Sequence, residues 1–592
     1  MVRLRAPSAS SCLFRCASMI ALLTAACGDD SADDDSATDT SEASTAAGGT
    51  ATTSAATTSG SGSTSSGSTS VTTSGSGESD SGATDGTTTG EPDGELEPLF
   101  GVPNHDDDDG NGNRDWFDYP FAGDNDLNVF VLPEWYLSAV GPDHTVELSL
   151  SGDLNQLRFW LDGQLALGDD GEGGQPSYTL SAADAASAFD VEFADFLTRA
   201  TLTVRRLGPG GVEERVDEVL LLAAPMLLNH HSQTAERVWA VQANNNGAML
   251  AAFQQALGDK FTVINVNDVW VQDELEWATA AAPGQRLSVA VDSIRNRPLD
   301  AFVKGLRAPD VEPMTWGVSG TKTSEDSFGN LEATPPLTAG GVDYPFGRVY
   351  YGRDQSCGPT YALTDHLDAQ RVQAPIAIDT CWLCVGHVDE FTAFIADEAA
   401  PKGFRLLVAD VDAAYKIIDA LPQSAQLPRY NNLHGYASVG AIADDAGLRA
   451  YNKDVQSDEI EPVVALFKAQ LDLTDADIIR IPSLFEKINN CKGGKSAAAL
   501  IPGMINLTVA NLAGEPQRLF IADPFFRANN GDQSGDPMIA AFRALMPEEY
   551  ELYFVDDWQT YHANLGEVHC GTNVSRTPAA DWWTDALHLL EE

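Results

Sequence analysis

From Gly28 to Glu95 the chain is built of Ser, Thr, Gly, Ala and acidic residues, with no aromatic residue and no Lys or Arg. Such a stretch cannot bury enough apolar surface to offset the entropy of ordering it, so it reads as a flexible tether. The folded mass of the 592-residue chain is thereby confined to the residues beyond Glu95. Hydrophobic residues make up 43% of the whole, which leaves enough for about two or three folded units once the tether is set aside.

The segment ahead of the tether reads as an export signal. Arg3, Arg5 and Arg15 precede a short apolar stretch, Met19 to Leu23, which ends in small residues before Cys27. Leu23-Thr24-Ala25-Ala26-Cys27 resembles a bacterial lipobox, in which the cysteine becomes the lipidated first residue. Thr24 stands where that pattern prefers Leu, and a plain secretory signal is the alternative reading. Either way the chain is expected outside the cytoplasm, as a cell-envelope lipoprotein or a secreted protein. Eight cysteines are too few for a disulfide scaffold of this size. With Cys12, Cys16 and Cys27 in the signal, Cys357, Cys381, Cys384, Cys491 and Cys570 remain. An odd number leaves one thiol that needs a reason in an exported protein, and catalysis is one.

Lys and Arg total 35 against 87 Asp and Glu, a formal net charge of −52. That excludes a general nucleic-acid binder, which neutralises phosphates with basic residues. It suits a protein that takes up divalent cations or attracts cationic substrates. No internal run approaches the roughly 20 apolar residues of a membrane-spanning helix, so membrane contact is expected only through the lipid anchor.

Short β-patterned runs at 128–132, 145–150, 156–160, 200–206 and 215–222, separated by Gly/Pro/Asp turns, predict an antiparallel, Ig-like β-sandwich over 96–225, with a boundary at Pro225. Beyond it strands and helices alternate. Strands are expected at 261–266, 286–291, 348–351, 405–408, 505–509 and 518–522, and helices at 412–421, 460–471 and 537–545, giving an α/β domain over 226–592. There is no Walker or dinucleotide fingerprint and no clear short-period repeat.

Four clusters in this domain carry chemistry. Trp270-Val271-Gln272-Asp273-Glu274-Leu275-Glu276 sets three acids and an amide beside an indole, and Asp292-Ser293-Ile294-Arg295-Asn296-Arg297 follows a strand. Gly386-His387-Val388-Asp389-Glu390 places an imidazole two residues from a carboxylate, and Cys570 lies in Gly566-Glu567-Val568-His569-Cys570-Gly571-Thr572-Asn573. On a strand His387 and Asp389 would face one side. With Asp273 they would surround the thiol with two carboxylates and an imidazole, and two carboxylates suit a guanidinium. Trp270 would cover the apolar stem of such a side chain. His230-His231 lacks a third ligand at useful spacing, His569 reads as structural or supporting rather than as the base, and His105, His434 and His562 have no assignable role.

From about Ala224 onward the chain resembles the calcium-dependent protein-arginine deiminases. The matching pieces are VWVQDELE (269–276), DSIRNR (292–297), DSFGNLEATPP (326–336), YPFGR (344–348), VGHVDEF (385–391), DIIRIPSLF (477–485) and GEVHCGTNV (566–574), in the family's order. The resemblance implies a five-bladed α/β-propeller, the pentein fold. It makes Cys570 the nucleophile, His387 the general acid/base, and Asp273 and Asp389 the guanidinium clamp, with Trp270 and Val385 lining the side-chain slot. Arg297 and Arg295 would contact the substrate backbone, which favours arginine in a peptide or protein over the free amino acid. It also implies two calcium positions: Gln272, Glu276 and Glu332 with the carbonyls of Phe328 and Leu331, and Glu274, Asp292, Ser293 and Asn296.

A further calcium loop is legible from spacing alone. Asp107, Asp109, Asn111 and Gly112, with Asp118 at the twelfth position, follow the calcium-loop pattern, although Asp replaces the usual Glu and no flanking helices are evident. The family's middle domain is likewise an acidic, calcium-loaded β-sandwich. Two features depart from the family. Asn564 stands six residues before Cys570, where some members place a substrate-contacting Arg, and Cys381-x-x-Cys384 precedes His387. A redox or zinc pair is one reading of the latter; a buried thiol or a disulfide to Cys357 or Cys491 is the favoured one. The rival functions are a deiminase of free arginine or another small guanidino compound, a thiol protease, and a non-catalytic, calcium-stabilised binding module.

Overall fold

Alternation of apolar and polar residues organises the N-terminal part. Along Thr145–Gly152, Val146, Leu148 and Leu150 are buried while their neighbours are not, and Arg199–Gly208 beside it repeats the pattern through Ala200, Leu202 and Val204. The computed structural model describes residues 94–117, 126–169, 174–317, 323–355, 357–489, 491, 494–578 and 581–590. The export signal with Cys27, tether residues 28–93 and Asp118 lie outside the described residues. One sheet orders Leu99–Gly101, Val212–Ala223, Arg199–Gly208, Thr145–Gly152 and Ser177–Ser181 side by side. A second orders Asn128–Phe130, Phe189–Phe193, Leu157–Leu161 and Gln164–Gly168. Phe130, Phe159 and Val191 of the second share one apolar core with Val146, Leu148 and Val204 of the first. Each such fully buried side chain contributes about 1.5–3 kcal/mol.

Past residue 225, among the described residues, five small sheets share one wiring, and two two-stranded hairpins, Leu337–Ala339 with Val342–Tyr344 and Phe485–Lys487 with Ala497–Ala499, stand beside them. In each of the five sheets, a central strand has an antiparallel neighbour on one side and a parallel neighbour on the other. The central strands are Gln285–Asp292, Val349–Gly352, Phe404–Asp410, Arg518–Ala522 and Ala235–Val241. A parallel pair needs a crossover, and a helix supplies it each time: Asp300–Lys304, Tyr361–Ala369, Val411–Ala420 with Glu461–Leu471, Pro537–Leu545 and Gly247–Leu257. These helices start and bury as their sequences dictate. Asp410 caps Val411–Ala420 by accepting from the amide of Ala413, and Val411, Ala414, Tyr415 and Ile418 form its buried stripe. The fifth sheet takes its antiparallel strand, Thr572–Arg576, from the end of the chain, so the C-terminus closes onto Ala235–Val241.

That wiring positions the functional residues. Four of the connections into the antiparallel strands carry groups expected from the sequence: Asp273 before Leu275–Ala282, Phe328 before Leu331–Ala333, His387 and Asp389 before Thr392–Ala396, and Cys570 before Thr572–Arg576; the fifth carries Asn506, before Thr508–Val509. The two halves of the described chain also share a core across Pro225, where Val102, Phe196 and Leu222 pack with Met226, Ala278 and Leu287. Strands and helices stand at the expected positions with three strands shortened; that expected at 128–132 ends at Phe130 and that at 261–266 ends at Ile264. Of 505–509 only Thr508–Val509 is strand, because Asn506 turns inward to the thiol.

Candidate active site

Cys570 is 4% exposed and is the free cysteine of the described residues. The other four form Cys357–Cys381 and Cys384–Cys491, which pin both ends of the short segment leading to His387. The sulfur of Cys570 accepts from Nδ2 of Asn506 at 3.2 Å, and its own amide donates to Oδ1 of the same side chain. Its carbonyl accepts from the amide of Gln272, which ties the turn at Cys570 to the acidic helix Val271–Glu274. Oδ2 of Asp389 lies 3.6 Å from the sulfur. Burial, then the charges of Asp389 and Asp273, push the thiol well above its ordinary range.

His387 and Asp389 meet by a different route from strand alternation. Val388–Glu390 is a 3-10 turn, in which the Glu390 carboxylate accepts from the amides of Gly386 and His387. His387 is fully buried, with Nε2 2.7 Å from the carbonyl of Ser324, while Nδ1 has no partner among the described residues. Oδ1 of Asp389 is also buried without one, and Oδ2 accepts from Nδ1 of His569 at 2.9 Å. Gly329 faces this pair at close approach. The Cβ of any other residue would fall 2.6 Å from Nδ1 of His387 and 3.0 Å from Oδ2 of Asp389.

Asp273 already holds a guanidinium. Nη1 of Arg297 donates to its Oδ2 at 2.6 Å, and Nη1 of Arg295 stands 3.7 Å away. Arg297 is a two-carboxylate ligand, since Asp268 takes its Nε and Nη2 at 2.9 and 2.6 Å. Burial opposes its charge, but Asp273 and Asp268 outweigh burial and raise its pKa. Both arginines thus turn toward Asp273 in this structure. Trp270 packs edge-on against Tyr561, and Gly566 lets its ring approach the turn before Cys570. The carbonyl of Val385 accepts from Ser324 Oγ.

A family model described as protein-arginine deiminase matches residues 214–584. The chain belongs to the protein-arginine deiminase family. It is 35% identical over 429 residues to human protein-arginine deiminase type-4, covering 66% of this chain and 60% of that relative. Against the type-4 protein of Rattus norvegicus the identity is 32% over 514 residues, covering 79% and 71%. Human protein-arginine deiminase type-3 matches at 35% over 395 residues, covering 62% of this chain and 56% of the relative.

The oxygen donors expected from the sequence converge in two places. Glu274 is fully buried, both of its oxygens lack partners, and so does Oδ1 of Asp292, whose Oδ2 accepts from Thr315. Burial, then Asp292, pushes Glu274 up to about 8, and burial pushes Asp292 to about 6. Asp300 joins them, a residue the sequence did not single out because it lies beyond the DSIRNR motif. Ser293 donates its hydroxyl to the carbonyl of Asp326, and Asn296 sits exposed in a left-handed turn. In the second place Nε2 of Gln272 bridges Oε2 of Glu276 and the carbonyl of Phe328, at 2.6 and 3.2 Å, where a cation would sit. Glu332 and Leu331 begin the neighbouring buried strand. Burial lifts Glu276 to about 7 and Glu332 to about 8. Orphaned carboxylate oxygens in dry surroundings fit a hard dication.

Asp107 and Asp109 cap the turn at Asn111 and Gly112 and come together with Asp115. Asp115 stands eight residues after Asp107, and Asp118, the acid expected at the twelfth position, lies outside the described residues. The sequence also missed Asn506, Asp268 and Arg576, whose partners Cys570, Arg297 and His231 lie far from them in the chain.

Proposed function

We propose that the chain hydrolyses the guanidino group of arginine in peptides or proteins to citrulline and ammonia, and that calcium is required. The observation that carries this is a thiol placed against Asp389 and Asp273. An uncharged peptide bond gains nothing from that field, whereas a guanidinium satisfies it and lowers the cost of thiolate. Arg297 already demonstrates the affinity of Asp273 for such a group.

In this reading Arg297 leaves Asp273, and the substrate guanidinium bonds Asp273 and Asp389. The thiolate of Cys570 attacks the guanidinium carbon, and His387 delivers the proton with which ammonia departs. Water, deprotonated by His387, then attacks the S-linked thiouronium, releasing citrulline and the thiol. Trp270 and Val385 flank the side chain, and Arg295 and Arg297 serve the peptide backbone once freed. Gln272, Glu276, Glu332 and the carbonyls of Phe328 and Leu331 would hold one calcium, and Glu274, Asp292, Ser293 and Asn296 with Asp300 another. Bound there, calcium neutralises carboxylates that flank both Asp273 and Arg297 in sequence. Asp107, Asp109, Asn111 and Asp115 are a third candidate set.

We further propose that the five like-wired sheets are the blades of a pentein propeller, following an Ig-like sandwich over 96–225 and a tether over 28–95. Two disulfides support an exported chain, because such bonds persist in oxidising compartments. Lipidation at Cys27 would make it an envelope lipoprotein.

The test is citrulline formation from a blocked arginine ester and from free arginine, with calcium or with chelator, beside Cys570→Ala. Calcium-dependent product from the blocked ester, absent in the variant, is expected. Turnover of free arginine alone moves the substrate to small guanidino compounds, and no product at all leaves a calcium-stabilised binding module.

A further inference from the structure

His230-His231 has no metal-ligand partner nearby in sequence, but folding brings two residues to His231 from far along the chain. Nε2 of His231 lies 3.3 Å from Oε2 of Glu332, and Nε2 of His569 lies 3.5 Å from Oε1 of the same carboxylate. All three side chains are buried. Ligands about 2.0–2.1 Å from a tetrahedral ion sit about 3.3 Å apart; each imidazole stands near that distance from one oxygen of the carboxylate, and one ligand atom from each of the three residues lies within 4.8 Å of the other two.

Both rings are also anchored as metal-binding imidazoles are. His569 donates Nδ1 to Asp389 at 2.9 Å, leaving Nε2 toward Glu332. The His231 ring has its own hydrogen bond to the backbone of Phe394. The carbonyl of His231 is fixed by Asn511 and Arg576, so the ring hangs from rigid backbone. The surrounding charge favours a dication: Glu276, Glu332 and Asp389 face the pair, opposed by the single guanidinium of Arg576.

We infer that His231, Glu332 and His569 form a site for an imidazole-seeking transition cation of the zinc class, and that its occupation excludes calcium from the neighbouring set through the shared Glu332. Zinc-class ions take nitrogen ligands that calcium does not, so the two cations pull Glu332 in different directions. The same ion would hold Asp389 on His569 and away from the substrate guanidinium, making it an inhibitor. The competition rests on the calcium reading of the proposed function; the binding of the transition cation does not.

The test uses the full chain, stripped with chelator, and Co2+ as a spectroscopic probe. One Co2+ per chain with visible d–d absorption is expected, displaced by Zn2+. His231→Ala is expected to weaken this binding by more than about 100-fold, the loss of a direct ligand exceeding the 10–100-fold typical of a supporting partner. Cys570→Ala is expected to bind Co2+ as the wild type does, which separates this site from capture by the thiol. Excess Ca2+ is expected to raise the apparent Kd for Co2+. Absent cobalt absorption, or equal affinity in His231→Ala, overturns the site. Calcium binding that leaves cobalt affinity unchanged overturns the shared Glu332. Failure of calcium itself to bind, seen by calorimetry without cobalt, refutes the calcium reading and leaves the imidazole site standing.

Discussion

Adding calcium to the chelated chain at pH 6.5 is expected to expel protons, because its proposed ligands are held protonated by burial. Glu274 and Glu332 are pushed to about 8, Glu276 to about 7 and Asp292 to about 6. At pH 6.5 these four carboxyls together carry about two to three protons, and at pH 8.5 about half of one; a dication must displace what they carry. Linkage then weakens calcium about tenfold at the Glu274 and Asp292 set and about 25-fold at the Glu276 and Glu332 set between pH 7.5 and 6.5. The folded pKa values lie above those of an unfolded chain, so the chelated protein binds protons more tightly when folded. Its stability from these groups is complete below the unfolded range and drains away as pH rises towards 8. The buried histidines, lowered to about 3–4 by burial, oppose this loss only while an unfolded histidine still holds a proton, so their contribution offsets it in part at pH 6.5 and is complete by about pH 7.5. Between pH 6.5 and 8 the chelated chain is therefore expected to lose melting temperature while the calcium-loaded chain does not. Calorimetric titration in two buffers of different ionisation enthalpy counts the protons directly. Calcium binding at pH 6.5 with less than about half a proton released would refute the assignment of these four groups as buried, protonated ligands.

Asp273→Asn keeps the shape of the clamp and removes its charge. It is expected to cost about 2–5 kcal/mol in kcat/KM, yet to make Cys570 more acidic, read as a lower pH midpoint for iodoacetamide labelling. Activity and thiol acidity moving together would contradict the clamp. Gly329→Ala drives a Cβ to 2.6 Å from Nδ1 of His387; overpacking of about 1–3 kcal/mol is expected to reduce kcat more than about tenfold while leaving calcium uptake intact, and an unchanged kcat would remove His387 from the chemistry. Cys384→Ser opens a bridge spanning 107 residues. Chain entropy puts its loss at about 4–5 kcal/mol, measured as a lower denaturant midpoint, and a midpoint matching the wild type would show the bridge to be dispensable.

What was legible in the sequence was local. Thr145–Gly152 and Arg199–Gly208 alternate cleanly, and the helix at Val411–Ala420 carries its cap and stripe in order. The active-site motifs were legible for the same reason, since each occupies one short connection. The repeat was not, because like-wired units differ in length. The crossover between Phe404–Asp410 and Ile478–Pro482 holds several helices, whereas that after Gln285–Asp292 holds one short helix. Convergence was equally hidden. His231 and His569 lie at opposite ends of the domain, and only the pairing of Thr572–Arg576 with Ala235–Val241 makes them neighbours. His387 and Asp389 met as expected, but through a tight turn in place of a pleat.

The field around Cys570 acts as a filter on reagents. In a chain whose other described cysteines are oxidised to disulfides, a thiol this buried and this weakly acidic is a poor target for peroxide or for an anionic disulfide. A cation that fills the carboxylate pair supplies the missing charge and creates the nucleophile that consumes it. Under the proposed function, resistance to oxidants and selectivity for guanidinium would come from the same two carboxylates, and a cationic electrophile is expected to label Cys570 faster than an anionic one of equal intrinsic reactivity.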